Sequence, residues 1–352
     1  MKKISSQQVA LLAGVSRATV SRMLNDPTSV SIETKKRIYA AMNTLGYRSS
    51  GFAHLSHQWT DLVALALFGS EDGLNLAELT TTRCYFYLEL LRYIERSAAR
   101  ENIDLFLPLH PYDPNEPKKD SAAQYALALQ EKRVSGVIAL ALRPDDPRIQ
   151  GIRNAPIPAI FIDNAVKSEN ATYVTTDFMG GAYQATEYLI SLGHQRIAFF
   201  PGDTFVLTGT ERLLGYQRAL AYTGLIMDTT LIRSSGWETQ DAYQAAMTLL
   251  NERRDFTAIF AASDMLAFGV LRALKEHKLR VPEDISLIGF DDIDLSERTN
   301  PALTTIQQDK QTISDAAISK LMQLLHGEKI PQPLVVPTRL IARASTAPIS
   351  WK

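Results

Sequence analysis

Val9-Ala10-Leu11-Leu12-Ala13-Gly14-Val15-Ser16-Arg17-Ala18-Thr19-Val20-Ser21-Arg22-Met23-Leu24-Asn25 stands near the start of a 352-residue chain. Just before it, Ser5-Ser6-Gln7-Gln8 has capping-box spacing, so a first helix is expected to begin after Ser5. Val9, Leu12 and Ala13 share one face of that helix at i, i+3, i+4. Gly14 suits a left-handed residue that ends it, and Ser16 can cap a second helix within two residues. The second helix runs from about Arg17 to Leu24, with Val20 and Leu24 inward and Arg17, Ala18, Ser21 and Arg22 outward, until Pro27 stops it. Ser31 caps a third helix with an apolar stripe of Ile38, Ala41, Met42 and Leu45, closed by Gly46. Two helices joined by a tight glycine turn and braced by a third form a helix-turn-helix unit. The second helix of such a unit enters the major groove, where an arginine fork can bond guanine O6 and N7 together. Contact with phosphates alone is the other role open to Arg17 and Arg22.

The charge distribution agrees with such a head. Residues 1–60 carry eight Lys/Arg against two Asp/Glu, a balance of +6, while the whole chain is formally −1 and the remainder therefore −7. A compact basic head on a mildly acidic body is expected to meet a polyanion, although a solvated charged face would carry the same charge. The longest apolar run, Leu62 to Phe68, is far shorter than the roughly 20 residues of a membrane span, so no membrane partner is expected. Val9 to Val15 is too short and glycine-interrupted to serve as a signal peptide. Cys84, the single cysteine, offers neither an internal disulfide nor a cysteine-based metal site, and the cytoplasm is the expected compartment.

From Leu62 onward, strand-like and helix-like segments alternate. Leu62–Phe68, Ile103–Leu107, Gly136–Ala141 and Pro158–Ile162 read as strands, with a helix over Tyr87–Glu101. The rhythm restarts at Thr172–Thr175 and continues through Arg196–Phe200, Ala258–Ala261 and Ile285–Gly289, with helices between. The alternation predicts a multi-domain chain: an all-α head, then α/β parallel sheets flanked by helices in two successive lobes. Ligands in such sheets bind beyond the carboxyl ends of the strands, so a cleft between the lobes is the expected site. No Gly-x-Ser-x-Gly elbow, Walker loop, Gly-x-Gly-x-x-Gly or His-Glu-x-x-His occurs, and no carboxylate spacing singles out a catalytic pair; the chain does not read as an enzyme. No cofactor is implied. His54 and His57 stand at i, i+3 but lack a third ligand, so no metal is expected.

The opening stretch, Val9-Ala10-(2)-Ala13-Gly14-Val15-Ser16-(2)-Thr19-Val20-Ser21-Arg22-(2)-Asn25, resembles the signature of the LacI/GalR family of bacterial transcription regulators. The body is similar to that family as well, in Asp177-(3)-Gly181-Ala182, Leu192-Gly193-His194, Arg212-(2)-Gly215-Tyr216, Ser263-Asp264-(2)-Ala267, Gly289-Phe290-Asp291-Asp292 and Leu303-Thr304-Thr305-Ile306. The resemblance implies a helix-turn-helix domain over 1–46, a hinge over 47–60, and an effector-binding and dimerisation domain over 61–347 resembling periplasmic sugar-binding proteins. Lobe one would comprise about 61–163 and 307–333, and lobe two about 176–306 and 336–347, with crossings near 163–176, 307–310 and 333–336. In the head, the resemblance makes Arg17, Ala18 and Arg22 base-reading residues and Ser16, Thr19, Asn25, Ser31 and Thr34 phosphate contacts. In the hinge, a leucine is expected to wedge into the minor groove. Here the usual Pro-Asn is Ser49-Ser50, and Ala53-His54-Leu55-Ser56 puts Leu55 one position early, about 100° around a helix. Phe52 is the alternative wedge.

For the cleft, the resemblance implies that Arg212 and Asp291 hold ligand hydroxyls, a donor fork paired with a carboxylate acceptor. Asp163 at a strand end and Ser263 are further polar candidates, and Trp237, Tyr85 and Phe86 are candidates to stack on a ring. Asp264 reads as a helix cap, His194 as structural and Lys310 as an exposed lysine beside a crossing. The function implied is a sequence-specific DNA-binding regulator, a repressor controlled by a small molecule, with a sugar as the leading candidate. Its partners would be double-stranded pseudo-palindromic operator DNA and a second copy of itself. A dimer is expected because no leucine heptads follow the last crossing. The alternatives are a regulator of the same family answering to a purine, a nucleoside or a phosphoprotein, and a binding protein or enzyme that merely carries a basic head.

Overall fold

The computed structural model describes residues 5–25, 29–45, 61–67, 84–107 and 121–349. The head contains α1 (Ser6–Ala13), α2 (Arg17–Asn25) and α3 (Ile32–Leu45). The Gln8 side-chain oxygen accepts from the Ser5 backbone N–H at 2.8 Å, which secures the start of α1. Gly14 adopts φ 61° and ends it. A Cβ there would come within 2.6 Å of the Arg37 guanidinium, which donates at 2.7 Å to both Ala13 O and Gly14 O and closes the turn from α3. Ser16 Oγ accepts from Thr19 N–H at 3.0 Å and caps α2. The small core holds Val9, Ala10, Ala13, Val20, Met23, Ile38 and Ala41. Leu12, expected inward, is 52% exposed and Ala10 takes its place, because the inner face of so short a helix is set by where α3 crosses it.

Lobe one is built on a six-stranded, all-parallel sheet with the order β10-β5-β4-β3-β1-β2. Its strands are β1 (Asp61–Leu67), β2 (Ile103–Phe106), β3 (Gly136–Leu140), β4 (Ala159–Ile162), β5 (Ala171–Thr176) and β10 (Leu334–Val336). The helices α4 (Tyr85–Arg100), α5 (Ser121–Glu131), α6 (Pro147–Asn154) and α11 (Lys310–Leu325) belong to the same lobe. Lobe two has a parallel sheet of β6 (Ile197–Phe200), β7 (Ala258–Ala261) and β8 (Ser286–Ile288). Its helices are α7 (Phe178–Ser191), α8 (Leu207–Tyr222), α9 (Thr239–Glu252) and α10 (Asp264–Glu276). An antiparallel pair, β9 (Thr305–Gln308) with β11 (Thr338–Ile341), lies where the chain passes between lobes. The near-continuous apolar strands, such as the fully buried β3, β4, β6 and β7, suit sheets covered by helices on both faces.

Two strand assignments differ from the sequence expectation. The strand over 171–176 pairs with β4 through Ala159–Ala171 to Ile162–Val174, so it ends lobe one instead of opening lobe two. Likewise Leu334–Val336 pairs with β5, which moves the last passage beyond Val336. Both strands complete the edge of the first sheet, a pairing between distant or turn-separated segments that periodicity does not encode. Phe52, Ala53 and Leu55, with the rest of the hinge, lie outside the described residues. Among the described residues no helix is long and apolar enough to cross a membrane.

Candidate functional site

A cavity of about 480 Å³ opens between the lobes, beyond the carboxyl ends of their strands. Leu142 follows β3, Asp163 follows β4, Asp203 follows β6, Ser263 follows β7 and Asp291 follows β8, and all of them line it. Strand ends converge there because parallel strands in both sheets point the same way into the gap. Of the residues expected in the cleft, Arg212, Asp291, Asp163, Ser263, Trp237 and Phe86 line the cavity. Tyr85 does not; Tyr87 occupies the wall in its place. The helix starts two residues earlier than the sequence suggested; Tyr85 packs against the lobe-one core, and the next two aromatic rings line the cavity.

The centre of the site is a buried polar cluster. Arg212, in α8, donates from Nη2 to Asp291 Oδ1 at 3.2 Å, and both side chains are more than nine-tenths buried. Its guanidinium carbon lies 4.1 Å from the Phe290 ring centre, 4.8 Å from Phe178 and 5.4 Å from Trp237. Aromatic faces on several sides hold the cation without using up its N–H groups. The buried Arg212 Nε has no acceptor among the described residues, a donor left over for a ligand. Asp291 Oδ1 also accepts from Gln308 Nε2 at 2.7 Å, and Gln308 Oε1 in turn accepts from Thr176 Oγ1 at 2.7 Å. Trp237 packs across Gly202, where φ is 72° and a Cβ would meet the indole at 2.6 Å.

Asp163 accepts from Tyr87 OH at 3.1 Å and from Thr175 Oγ1 at 3.3 Å. Both Asp163 and Asp291 hold positive φ, 62° and 118°, strained backbone of the kind that collects at binding sites. Burial pushes the Asp163 carboxyl up to about 6, against the opposing pull of the Tyr87 hydroxyl, Arg212 and Thr175. A native pKa above the ordinary carboxylate value means that the folded state holds this proton to higher pH than the unfolded chain does. The resulting stability is full below about pH 4 and lost as pH rises through 6. Asp163→Asn is therefore expected to flatten the pH dependence of stability in that window; urea titrations with an unchanged slope would contradict the assignment.

Two other readings change. Ser263, not Asp264, caps α10, accepting from Leu266 N–H at 3.1 Å, while Asp264 is wholly buried and bonded inward. Lys310 is 8% exposed; its Nζ donates to Asp292 O at 2.7 Å and pairs with Glu89 Oε2 at 3.2 Å. Since Glu89 Oε1 accepts from Asp294 N–H at 2.8 Å, this pair ties α4 of lobe one to the lobe-two segment carrying Asp291. His194 is structural as expected, bonded to Thr257 Oγ1, Ser286 Oγ and Ala347 O. Gln308 and Tyr87 were missed by sequence reasoning. Gln308 lies at the end of a short strand next to a crossing, a position that could have flagged it.

In the head, Arg17, Ala18 and Arg22 stand exposed on α2, the helix that a helix-turn-helix presents to the groove. Ser31 Oγ accepts from Thr34 N–H at 3.4 Å, Ser16 and Ser31 are exposed and Thr19 and Thr34 half-buried, while Asn25 ends α2. No group of metal-ligating side chains occurs among the described residues.

Comparison with known proteins agrees with this architecture. Residues 7–50 match the description of bacterial regulatory proteins of the lacI family, and residues 186–346 match a periplasmic binding protein-like domain. The chain is 34% identical to the HTH-type transcriptional regulator CelR of Thermobifida fusca, over 96% of this chain and 97% of that one. It is 30% identical to the transcriptional repressor PurR of Klebsiella pneumoniae, over 97% and 96%. Among solved structures, a CelR–cellobiose complex aligns over 97% of this chain and 99% of the other with a TM-score of 0.71 and 30% identity. A lac repressor dimer bound to operator and an anti-inducer aligns over 98% and 100%, with a TM-score of 0.68 and 28% identity. With relatives at this identity along nearly its whole length, the chain belongs to the lacI family of bacterial regulatory proteins, as a helix-turn-helix transcription regulator with an effector-binding body.

Proposed function

We propose that this regulator is a cytoplasmic homodimeric repressor whose interlobe cavity takes a saccharide. The observation that carries the reading is the buried Arg212–Asp291 pair beside Trp237 and Phe86, with Asp163 as a second acceptor. Vicinal hydroxyls need donors and acceptors side by side, and the apolar face of a sugar ring needs an aromatic wall. The cellobiose bound to a relative of 30% identity supports the same ligand class. Saccharide binding would favour one degree of lobe closure and shift the population of dimers able to hold operator DNA. A thermal-shift screen against sugars, purines and nucleosides tests this reading. A ligand at 100 times its Kd adds about 2.7 kcal/mol. Stabilisation by a purine and by no sugar would overturn it.

In the head, Arg17, Ala18 and Arg22 read bases, while Ser16, Thr19, Asn25, Ser31 and Thr34 hold phosphates and Phe52, Ala53 and Leu55 supply the hinge contact. Base contacts carry sequence information and phosphate contacts carry general affinity. Arg22→Ala is accordingly expected to lose about 1–3 kcal/mol of preference for operator over random DNA while weak nonspecific binding persists. Equal loss on both DNAs in a gel-shift titration would assign Arg22 to the phosphates.

A further inference from the structure

We propose that the ligand is an anionic saccharide, bearing a phosphate or carboxylate, and that Arg143 and Arg153 receive its charged group. The proposal rests on the saccharide reading of the same cavity. Among the described residues three arginines and three aspartates line that cavity, so the arrangement of charge has to select a ligand. Arg212 and Asp291 offset each other's charge on the lobe-two wall, and Asp163 is held by Tyr87 and Thr175. The remaining cations stand on the lobe-one wall.

Arg153 has no carboxylate partner among the described residues. It sits one turn after Ile149 in α6, and both line the cavity, as i, i+4 neighbours on one helix face. Arg148, on another face of the same helix, shows what a structural arginine looks like here. It donates to Asp146 Oδ2 at 2.6 Å and to Leu67 O at 2.8 Å, and is nearly buried. Arg153 has no comparable contact among the described residues; it is exposed and lines the cavity.

Arg143 is held loosely. It reaches Asp145 at 3.2 Å and Asp203, across the mouth of the cavity, at 3.4 Å, with half its side chain exposed. Exposed pairs of this length contribute little and exchange readily. A phosphate or carboxylate offers a guanidinium two parallel charge-assisted bonds, which such a pair does not. Leu142, Pro144, Ile149 and Val166 line the same cavity as the two arginines, and apolar surface beside a charge strengthens its attraction for an incoming anion.

The test is isothermal titration calorimetry on the full-length protein at fixed ionic strength, with glucose, cellobiose, glucose 6-phosphate, glucuronate and inorganic phosphate as probes. Arg153→Gln and Arg143→Gln remove one fork each without breaking a buried contact. The expected result is that inorganic phosphate binds wild type and that Arg153→Gln weakens it about tenfold or more, in line with loss of a charge-assisted bond. Glucose 6-phosphate or glucuronate should bind more tightly than the neutral sugars, and that advantage should vanish in the same variant. No phosphate binding, equal phosphate affinity in wild type and Arg153→Gln, or tighter binding of a neutral sugar than of its charged counterpart would each overturn the proposal. A neutral sugar that binds in an Arg212-dependent way would leave the saccharide reading standing, whereas Arg212-dependent binding of a purine alone would remove that reading and the proposal with it.

Discussion

Arg212→Ala is expected to lose about 3–5 kcal/mol of folding stability and to abolish the change in operator binding that the effector produces. The guanidinium is the larger of two opposite charges acting on Asp291, ahead of Lys310, and removing it leaves a carboxyl group that is 5% exposed with Gln308 as its remaining side-chain hydrogen-bond donor. The aromatic rings of Phe178, Trp237 and Phe290 lose the cation they enclose, and with it their packing. Burial already holds the Asp291 carboxyl above the ordinary carboxylate range in the intact protein, with Arg212, Gln308 and Lys310 pulling it down. Without Arg212 it rises further, so the variant takes up a proton and escapes part of the penalty as pH falls. The deficit against wild type should therefore be larger at pH 8 than at pH 5, measured by urea denaturation at both. Arg212→Lys keeps a charge but loses the planar fork, and should recover stability more fully than ligand response. A small deficit, equal at the two pH values, would mean that the pair is not the electrostatic centre of the site.

The second large effect is expected outside the cavity. Asp264 is wholly buried at the first turn of α10. Its Oδ2 accepts from Ile293 N–H at 3.0 Å and Ser296 Oγ at 2.6 Å, and its Oδ1 from Thr305 Oγ1 at 2.5 Å. One carboxyl group thereby joins α10, the loop after Asp291 and β9. Asp264→Ala strands these donors in the interior and is expected to cost about 3–5 kcal/mol. Asp264→Asn retains one acceptor, and the hydroxyls of Ser296 and Thr305 can rotate to meet its amide, so roughly half of that loss should return. Thermal denaturation of the two variants separates the cases. If Ala and Asn were equally and weakly destabilising, Asp264 would not be the junction that the bonding pattern makes it.

How far these features could be read beforehand depends on how local their causes are. The head was legible in detail, since the capping box at Ser5, the left-handed turn at Gly14 and the cap at Ser16 are each decided within four residues. Leu12 was misplaced because a helix of 8 residues has an inner face only once α3 lies against it. The cleft was legible as a place, since it lies beyond the ends of strands that the alternation located. Which aromatic ring enters it was not: a shift of two residues in the start of α4 exchanged Tyr85 for Tyr87. In the sequence Lys310 reads as an exposed lysine and Asp264 as a helix cap. They are buried because partners 221 and 32 positions away in the chain, Glu89 and Ser296, meet them.

The sequence by itself determined the three-helix basic head and the two-lobed parallel architecture, because caps, periodicity and strand ends are written in short segments; the Arg212–Asp291 pair was implied only by the resemblance to the family. The tertiary structure alone decided that the strands over 171–176 and 334–336 complete the first sheet, that Glu89 and Lys310 brace the two lobes, and that Arg153, with no carboxylate partner among the described residues, lines the cavity. Each of these depends on segments far apart in the chain coming together, and the free energy of such contacts belongs to the assembled fold and to no single stretch of residues.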